Sequence, residues 1–210
     1  SSQVRLQYEE SPYPRWVNLR LAVEPAPISK VTSGIKLKLF DNTINAVQAP
    51  KILIAGCGTG QHSIAAAARY KGSKVLAIDL SLSSLAYAKR KSKEFCVENI
   101  EYMQADILSL PKLNQQFDII ESVGVLHHMD EPYEGWRILT DCLRTGGLMR
   151  IGLYSELARK HISNIKEEID ELGIGASPDE MRAFRDMVIN SNKDHHKKIK
   201  FSSDFYSMST

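Results

Sequence analysis

The chain has 210 residues, 43% of them hydrophobic, and its 27 basic and 25 acidic residues leave a formal net charge of +2. This length predicts one domain with an appendage, and the apolar fraction is sufficient for a substantial core. The near-cancellation of charge argues against a nucleic-acid partner. No apolar run approaches the roughly 18 residues that a membrane-spanning helix needs, so we expect no membrane association.

The three cysteines, Cys57, Cys96 and Cys142, are odd in number and far apart, and none stands in a metal-binding spacing such as C-x-x-C. We therefore expect free thiols, a reducing cytoplasmic compartment and no metal site. No signal peptide is visible. Because the chain begins with Ser1-Ser2 rather than Met, we expect it to be a piece of a longer protein.

Residues 1–48 are predicted to form an N-terminal arm followed by a helix over 31–47. Prolines in the arm block regular structure, so the arm should lie across a surface, where its aromatic side chains find cover. Strand and helix patterns then alternate from residue 49 to 154. The predicted strands are 51–55, 74–78, 100–104, 117–123 and 148–153, and the predicted helices are 61–70, 82–96 and 132–143.

This alternation predicts the α/β class, with a mostly parallel central sheet between two layers of helices in a Rossmann-like sandwich. The run Arg144-Thr145-Gly146-Gly147 should end the last helix and turn into the final strand. Ligands bind such sheets at the carboxyl ends of the strands.

Residues 155–210 leave the alternating pattern and are predicted to form a helical extension. One helix should cover 155–172, and a capping box at Ser177–Glu180 should open a second helix that ends near Ile189. The polar run 192–198, which contains His195 and His196, should be exposed.

Three alternate glycines, Gly56, Gly58 and Gly60, follow the first strand and precede a helix. Such a turn lets backbone N–H groups approach a nucleotide-like ligand. Gln61 stands where a dinucleotide fingerprint has glycine, and the G-K-[ST] ending of a P-loop is absent. Asp79 ends the next strand, at the place of a ribose-binding carboxylate. Together these features predict a nucleoside cofactor.

Further candidates follow the third and fourth strands. Asp106 can accept a hydrogen bond from an adenine amino group while Ile107 packs on the ring, or it can simply cap a turn. His127 or His128 can act as a general base, since histidine titrates near neutrality. Adjacent side chains usually point apart, so we expect only one of the two to serve, and a structural role in the loop remains open.

The runs ILIAGCGTG, AIDLS, QADI, FDIIESVGVLHHMDEP and LRTGGLMRIGLY resemble those of class I methyltransferases that use S-adenosylmethionine, over about residues 50–154. The resemblance implies that the cofactor is bound by Gly56, Cys57, Gly58, Gly60, Gln61, Asp79, Leu80, Asp106, Ile107, Ser122 and Val123. It also implies that Tyr13, Arg15 and Trp16 close over the site. These three residues and His128 would lie on the acceptor side. His127 and Tyr154 are the catalytic candidates, as groups that position the acceptor.

That family's fold has seven strands, of which the last two form an antiparallel hairpin that is not visible here. A weaker resemblance is to methyltransferase domains at the end of larger bacterial proteins with helical repeats. The implied reaction is in-line methyl transfer to a small-molecule or protein acceptor. Two alternatives are a non-catalytic S-adenosylmethionine-binding domain that acts through partner proteins, and an NAD-dependent dehydrogenase. An open sheet edge also favours a homodimer.

Overall fold

The computed structural model describes the chain at residues 9, 12, 14, 16–155, 157–175, 177–201 and 205. The chain divides into two compact units, residues 1–153 and 154–210. The first unit holds the alternating strands and helices, and the second is helical.

Within the described residues, the first unit contains the strands β1 (Lys51–Ala55), β2 (Lys74–Asp79), β3 (Ile100–Gln104), β4 (Phe117–Val123) and β5 (Leu143–Gly152). Its helices are α1 (Ile28–Gly34), α2 (Gln61–Arg69), α3 (Leu82–Glu94) and α4 (Pro132–Asp141), with short 3-10 helices at Thr43–Ala46, Ile107–Leu113 and Leu126–His128. The second unit contains α5 (Lys160–Glu171), α6 (Pro178–Asn190) and α7 (Asp194–Ile199).

The five strands form one sheet in the order β3-β2-β1-β4-β5, and every neighbouring pair is parallel. In the middle of the sheet, Ile52 lies opposite Val75 on one side and Ile119 on the other. The strand order reverses between β1 and β4, which is where an open parallel sheet leaves a crevice at its carboxyl edge. The predicted α/β fold with a Rossmann-like sheet is therefore confirmed.

Alternate residues of β1 face opposite sides of the sheet and build two separate cores. Ile52 and Ile54 belong to the core that includes α2 and α3. Leu53 and Ala55 belong to the other, which includes α4. All four β1 residues are at most 1% exposed, so the strand is covered on both faces, as expected of a central parallel strand.

Side-chain caps fix the starts of two helices. Ser81 Oγ accepts a hydrogen bond from the Ser84 N–H at 3.0 Å and opens α3. In the second unit, Ser177 Oγ accepts from the Glu180 N–H at 3.3 Å, and Glu180 Oε2 accepts from the Ser177 N–H at 3.2 Å. The predicted capping box is thus confirmed, with both of its reciprocal hydrogen bonds formed.

The predicted turn at residues 144–147 is wrong, because β5 already begins at Leu143 and runs through it. Arg144 Nη1 lies 2.8 Å from Asp118 Oδ1 on β4, which holds this early part of the strand in place. A register shift between Phe117 and Ile119 absorbs the extra residues, and Gly146 has a φ of +77°. The glycines therefore form an irregularity within the strand pair instead of a helix stop.

The predicted helix over 31–47 is also wrong in extent. Helix α1 starts at Ile28 and ends at Gly34, and Lys36 then adopts a left-handed backbone with a φ of +55°. A single 3-10 turn at Thr43–Ala46 replaces the rest. The apolar residues in this stretch are not all core residues, since Phe40 is fully exposed.

The predicted exposure of residues 192–198 holds for Asn192, Lys193, Asp194, Lys197 and Lys198 but is wrong for His196. This run contains most of α7, whose His196 side chain is 1% exposed. Within the described part of residues 154–210, no strand follows β5. None of the helices in the described part of the chain is both long enough and apolar enough to cross a membrane.

Candidate cofactor site

The glycine loop after β1 turns across the carboxyl end of β2. The backbone N–H groups of Gly56 and Cys57 both donate to the carbonyl of Ile78, each at 2.9 Å. Gly60 caps α2 with a φ of +89°, and a Cβ there would lie 2.5 Å from the Cβ of Ala88 in α3. Both the left-handed backbone and the tight contact with α3 exclude a side chain at this position.

Two loop residues from the predicted set differ in what they can offer a ligand. The Cys57 side chain is 6% exposed and belongs to the core on the α2 side. Only the backbone of Cys57 is therefore available to a ligand at the loop. Burial raises the pKa of the Cys57 thiol well above its usual value, which keeps it a neutral packing group. Gln61 is exposed and is the first residue of α2.

Asp79 connects the glycine loop to the end of β2. Its Oδ2 accepts from the Gly58 N–H at 2.7 Å, and its Oδ1 accepts from the Ser81 N–H at 3.0 Å. Burial raises the pKa of Asp79; these hydrogen bonds oppose the rise but do not cancel it. A carboxylate offers about four lone-pair sites, so it can still accept hydrogen bonds from a ligand.

The end of β3 lies beside this carboxylate. Gln104 Nε2 donates to the Leu80 carbonyl at 2.9 Å, which holds the two strand ends together. Asp106 is exposed, and its Oδ1 accepts from the Leu108 N–H at 2.9 Å, so the capping role is real. Ile107 is 6% exposed and packs in the core on the α4 side. The role predicted for Asp106 at an adenine amino group stays a prediction.

The exit from β4 packs against the glycine loop. A Cβ on Gly56 would lie 2.3 Å from Cγ2 of Val125, so the two loops meet closely. Ser122 is 1% exposed, and its Oγ has no hydrogen-bond partner among the described residues. Val123, the last residue of the strand, is 40% exposed. A buried hydroxyl without a partner at a strand end is the kind of group that a bound ligand satisfies.

His127 and His128 follow in a 3-10 helix that brings their rings together. The ring centroids are 4.1 Å apart, and the two Nε2 atoms are separated by 3.1 Å. The expectation that these adjacent side chains point apart is therefore wrong, because both rings fold toward each other over one short turn. His128 is exposed and His127 is half-buried.

The N-terminal arm is held to the glycine loop by Trp16. The indole is 7% exposed, and its Nε1 donates to the Thr59 carbonyl at 3.2 Å. Thr59 Oγ1 in turn donates to the Pro14 carbonyl at 2.6 Å, and the Tyr87 hydroxyl donates to the Trp16 carbonyl. The Trp16 ring also packs against Phe95, with centroids 5.7 Å apart. The arm thus crosses the glycine loop and α3.

A second arm residue, Glu9, lies at the first turn of α3. Its Oε2 accepts from Ser81 Oγ at 2.8 Å and from the Ser83 N–H at 3.2 Å. A carboxylate is favourable there because the N-terminal end of a helix carries partial positive charge. The negative charge of Glu9 is close enough to Asp79 to raise the pKa of that residue further.

The remaining predicted site residues are less defined by the structure. Tyr13 and Arg15 lie outside the described residues. Tyr154 falls in the second unit, two residues after the end of β5, and the Arg159 guanidinium lies 3.7 Å from its ring centroid. The roles predicted for these residues stay predictions.

A buried charge cluster escaped the sequence analysis. Glu121 on β4 is 2% exposed, and its Oε2 lies 2.5 Å from His62 Nε2 in the first turn of α2. Arg150 Nη1 on β5 approaches the same oxygen at 3.3 Å. The signal in the sequence is a second acidic residue, Glu121, within the strand that already contains Asp118. Its partner 59 positions earlier could not be inferred without the fold.

Comparison with known proteins identifies the first unit. Residues 52–147 match a family model described as a methyltransferase domain. This part of the chain is a methyltransferase domain. Together with the parallel sheet and its strand order, the match over this segment supports the predicted class I methyltransferase family and its cofactor, S-adenosylmethionine.

Two relatives of known sequence match just over half of the chain. An uncharacterized protein of Synechococcus sp. is 36% identical over 121 residues, which are 57% of this chain and 29% of the relative. The malonyl-[acyl-carrier protein] O-methyltransferase of Hamiltonella defensa subsp. Acyrthosiphon pisum is 32% identical over 120 residues, which are 57% of this chain and 44% of the relative. The chain therefore spans less than half of either relative's length.

One solved structure shows the same fold over most of the chain. PKMT2 from Rickettsia typhi superposes with a TM-score of 0.65 at 20% sequence identity and covers 89% of this chain and 39% of its own. This likeness confirms the predicted fold.

The residues at the carboxyl edge of the sheet fit S-adenosylmethionine. Asp79 provides acceptor capacity for ribose hydroxyls, and the orphaned Ser122 Oγ provides a polar group beneath the β4 exit. Both are polar groups at the carboxyl ends of strands, which fits the chemistry of a nucleoside with a polar tail.

Proposed function

We propose that this chain is an S-adenosylmethionine-dependent methyltransferase that acts on a small-molecule or protein acceptor. The observation that carries the proposal is the contact between Asp79 Oδ2 and the Gly58 N–H, which joins the ribose-binding position to the glycine loop. A ligand that bridges both elements would bind at the switch point of the sheet, where the strand order reverses.

Each end of the cofactor is matched by different residues of the chain. Asp79 would hold the ribose hydroxyls, with Leu80 beside the adenine ring and Asp106 at the adenine edge. The backbone of Gly56, Cys57, Gly58, Gly60 and Gln61 would line the methionine and ribose side. Ser122 and Val123 would lie beside the methionyl group, and Ile107 would support the adenine from the core.

The cofactor, when bound, supplies a methyl group on a positively charged sulfonium. The chain's main contribution is to hold the acceptor atom in line with that methyl, because fixing two reactants in one geometry removes most of the entropic barrier. A base is needed only where the acceptor atom arrives protonated. We propose that His127 and His128 line the acceptor side and that Tyr154 helps to position the acceptor.

The relatives favour an oxygen as the first acceptor to test. The Hamiltonella defensa relative is named as an O-methyltransferase acting on a malonyl group carried by a protein. A carboxylate acceptor of that kind needs no general base, whereas a hydroxyl acceptor would use His127. The pH dependence of turnover distinguishes these two cases, because only the second should fall as a histidine becomes protonated near pH 6.5.

The experiment that tests the cofactor assignment is calorimetric titration with S-adenosylmethionine and S-adenosylhomocysteine. We expect micromolar binding, and we expect Asp79→Asn to weaken it about 10- to 100-fold, because hydrogen bonds to a charged group contribute about 1.5–3 kcal/mol each. Asp141→Asn is the matched control, since Asp141 is an exposed residue at the end of α4. It should bind as the unmodified chain does.

Other outcomes would favour the alternatives. Binding of NAD with no binding of either sulfur cofactor would overturn the proposal in favour of a dehydrogenase. Tight cofactor binding without transfer to any carboxylate, hydroxyl, amine or thiol acceptor would favour a non-catalytic domain that works through partner proteins. Transfer that is lost in His127→Asn but kept in His128→Asn would support a catalytic role for His127 and a place on the acceptor side for His128.

A further inference from the structure

The second unit contains a cluster of side chains that the methyltransferase function does not use. Glu168 on α5 faces His195 and His196 on α7. Glu168 Oε2 lies 2.9 Å from His195 Nε2 and 2.6 Å from His196 Nε2. Three potential ligand atoms, two imidazole nitrogens and one carboxylate oxygen, therefore converge on one point within a single compact unit.

The other oxygen of this carboxylate is already held in place. Lys193 Nζ lies 2.6 Å from Glu168 Oε1, which leaves Oε2 as the oxygen that points toward the two rings. A carboxylate that binds a metal through one oxygen is commonly hydrogen-bonded through the other, because that contact fixes its orientation. Lys193 is thus placed as an outer-shell partner of the cluster.

The least exposed group of the cluster is His196. Its side chain is 1% exposed, and its Nδ1 has no hydrogen-bond partner among the described residues. A metal ion binds carboxylates and neutral imidazoles, so we expect binding to weaken as the pH falls.

The second unit has little apolar material to hold it together. Among its described residues, the buried hydrophobic side chains are Ile165 and Val188. So small a set of buried apolar side chains supplies little stability, and metals or disulfides commonly supplement cores of this kind. A metal ion bound between α5 and α7 would therefore also stabilise the fold of this unit.

We propose that Glu168, His195 and His196 form a binding site for Zn²⁺ or a similar divalent transition metal. Two imidazole nitrogens and one carboxylate oxygen form a three-ligand set that leaves a fourth tetrahedral position open to water or another ligand. The ligand atoms need to separate by less than about 1 Å to surround an ion at metal–ligand distances of about 2.0–2.2 Å.

The buried side of His196 limits the affinity. Coordination through Nε2 moves the ring proton to Nδ1, where the described residues offer no acceptor. A missing outer-shell partner costs about 10- to 100-fold in metal affinity. We therefore expect a dissociation constant of about 0.1–10 µM, weaker than that of a complete four-ligand structural site.

The test uses the untagged chain, stripped of metal with a chelator and titrated with Co²⁺ and then Zn²⁺. We expect the visible absorption of four-coordinate Co²⁺, its displacement by Zn²⁺ at a one-to-one ratio, and a rise of about 5 °C or more in the melting temperature with excess Zn²⁺. Glu168→Gln and His195→Asn should abolish the absorption. The matched controls Glu167→Gln and His161→Asn lie on α5 outside the cluster and should keep it.

Other results would overturn the proposal. If neither Co²⁺ absorption nor a Zn²⁺-dependent melting shift occurs at 100-fold the expected dissociation constant, the cluster is an ion-paired clip between two helices. If binding persists in both Glu168→Gln and His195→Asn, the metal binds elsewhere. His195→Asn is the safer of the cluster variants, because the His195 side chain is 23% exposed and its replacement should leave the fold intact.

Discussion

His62 Nε2 lies 2.5 Å from Glu121 Oε2, and this contact joins the first turn of α2 to β4. Burial raises the pKa of Glu121, but the hydrogen bond and charge of His62 and the charges of Arg150 and Arg69 outweigh it and hold the pKa below its usual value. The carboxylate is therefore charged inside the sheet, with cationic partners on neighbouring elements.

We expect Glu121→Gln to lower the free energy of unfolding by about 2 kcal/mol at pH 7, because it leaves His62 and Arg150 without their charged acceptor. A group whose folded pKa is depressed stabilises the fold above its unfolded pKa, and this stability is lost as pH falls through the folded value. The difference between Glu121→Gln and the unmodified chain should thus shrink below about pH 4.5. Urea unfolding at several pH values measures it.

Glu101→Gln provides the control for that series. Glu101 lies on β3 of the same sheet, and its side chain is exposed. The same chemical change there should alter the stability by no more than about 0.5 kcal/mol. Equal effects at both positions would show that the cluster around Glu121 contributes nothing beyond an ordinary surface charge.

A pair of glycine substitutions separates backbone strain from steric fit. Gly60 and Gly124 have φ values of +89° and +77°, so alanine is strained by a similar amount at both. At Gly60 the new Cβ would also lie 2.9 Å from the backbone Cα of Ala88, whereas at Gly124 no atom lies within 4 Å. We expect Gly124→Ala to lower the free energy of unfolding by about 1–2 kcal/mol and Gly60→Ala to lower it by about 2 kcal/mol more. Thermal unfolding measures both losses.

That comparison also has a clear contrary result. If both variants lose the same stability, the approach of α3 to the glycine loop does not determine the choice of glycine at Gly60. Cofactor titration of both variants completes the test, since Gly60→Ala should also displace the loop and weaken binding.

The pKa of Asp79 predicts how cofactor binding depends on pH. Because burial raises this pKa above 3.8, protonation begins at a higher pH than for an exposed aspartate. An acid with a raised folded pKa stabilises the ligand-free fold below its unfolded pKa and loses that contribution as pH rises through the folded value. Binding to ribose hydroxyls needs the charged form, so acidification should favour the ligand-free protein.

We therefore expect the affinity for S-adenosylmethionine to fall as the pH is lowered from 7 toward 4, up to about tenfold per pH unit once Asp79 is protonated. Asp79→Asn should bind weakly, with little further change over that range. Calorimetry at half-unit intervals measures the profile, with circular dichroism as the check that the fold persists. A flat profile in the unmodified chain would contradict a role for the Asp79 charge.

Much of this architecture could be predicted from local sequence patterns. The β-branched run before Gly56 and the acid at Asp79 each depend on residues close in sequence, so strands β1 and β2 and the loop were predicted within one residue. The start of β5 was not, because its pairing depends on a contact between Arg144 and Asp118 across the sheet. Without that contact, the sequence pattern of Gly146-Gly147 predicts a turn.

The same limit explains what was missed at the site. His62 and Glu121 are 59 residues apart, and no periodicity connects them. His196 is predicted to be exposed because it lies in a charged run. Its ring is instead buried against Glu168, which lies 28 residues earlier. Long-range polar pairs carry no local signal, whereas glycine loops and strand-ending acids do.

The last prediction concerns the arm. We expect Trp16→Phe to lower the free energy of unfolding by about 1 kcal/mol, because it removes the hydrogen bond to the Thr59 carbonyl. Trp16→Ala should lower it by about 3–5 kcal/mol, because the buried ring also packs on Phe95. Trp136→Ala, at a side chain 39% exposed on α4, is the control and should cost less. Limited proteolysis and cofactor titration then test whether the arm closes the site. If Trp16→Ala loses its arm to protease but binds S-adenosylmethionine as tightly as the unmodified chain, the arm stabilises the fold without covering the cofactor.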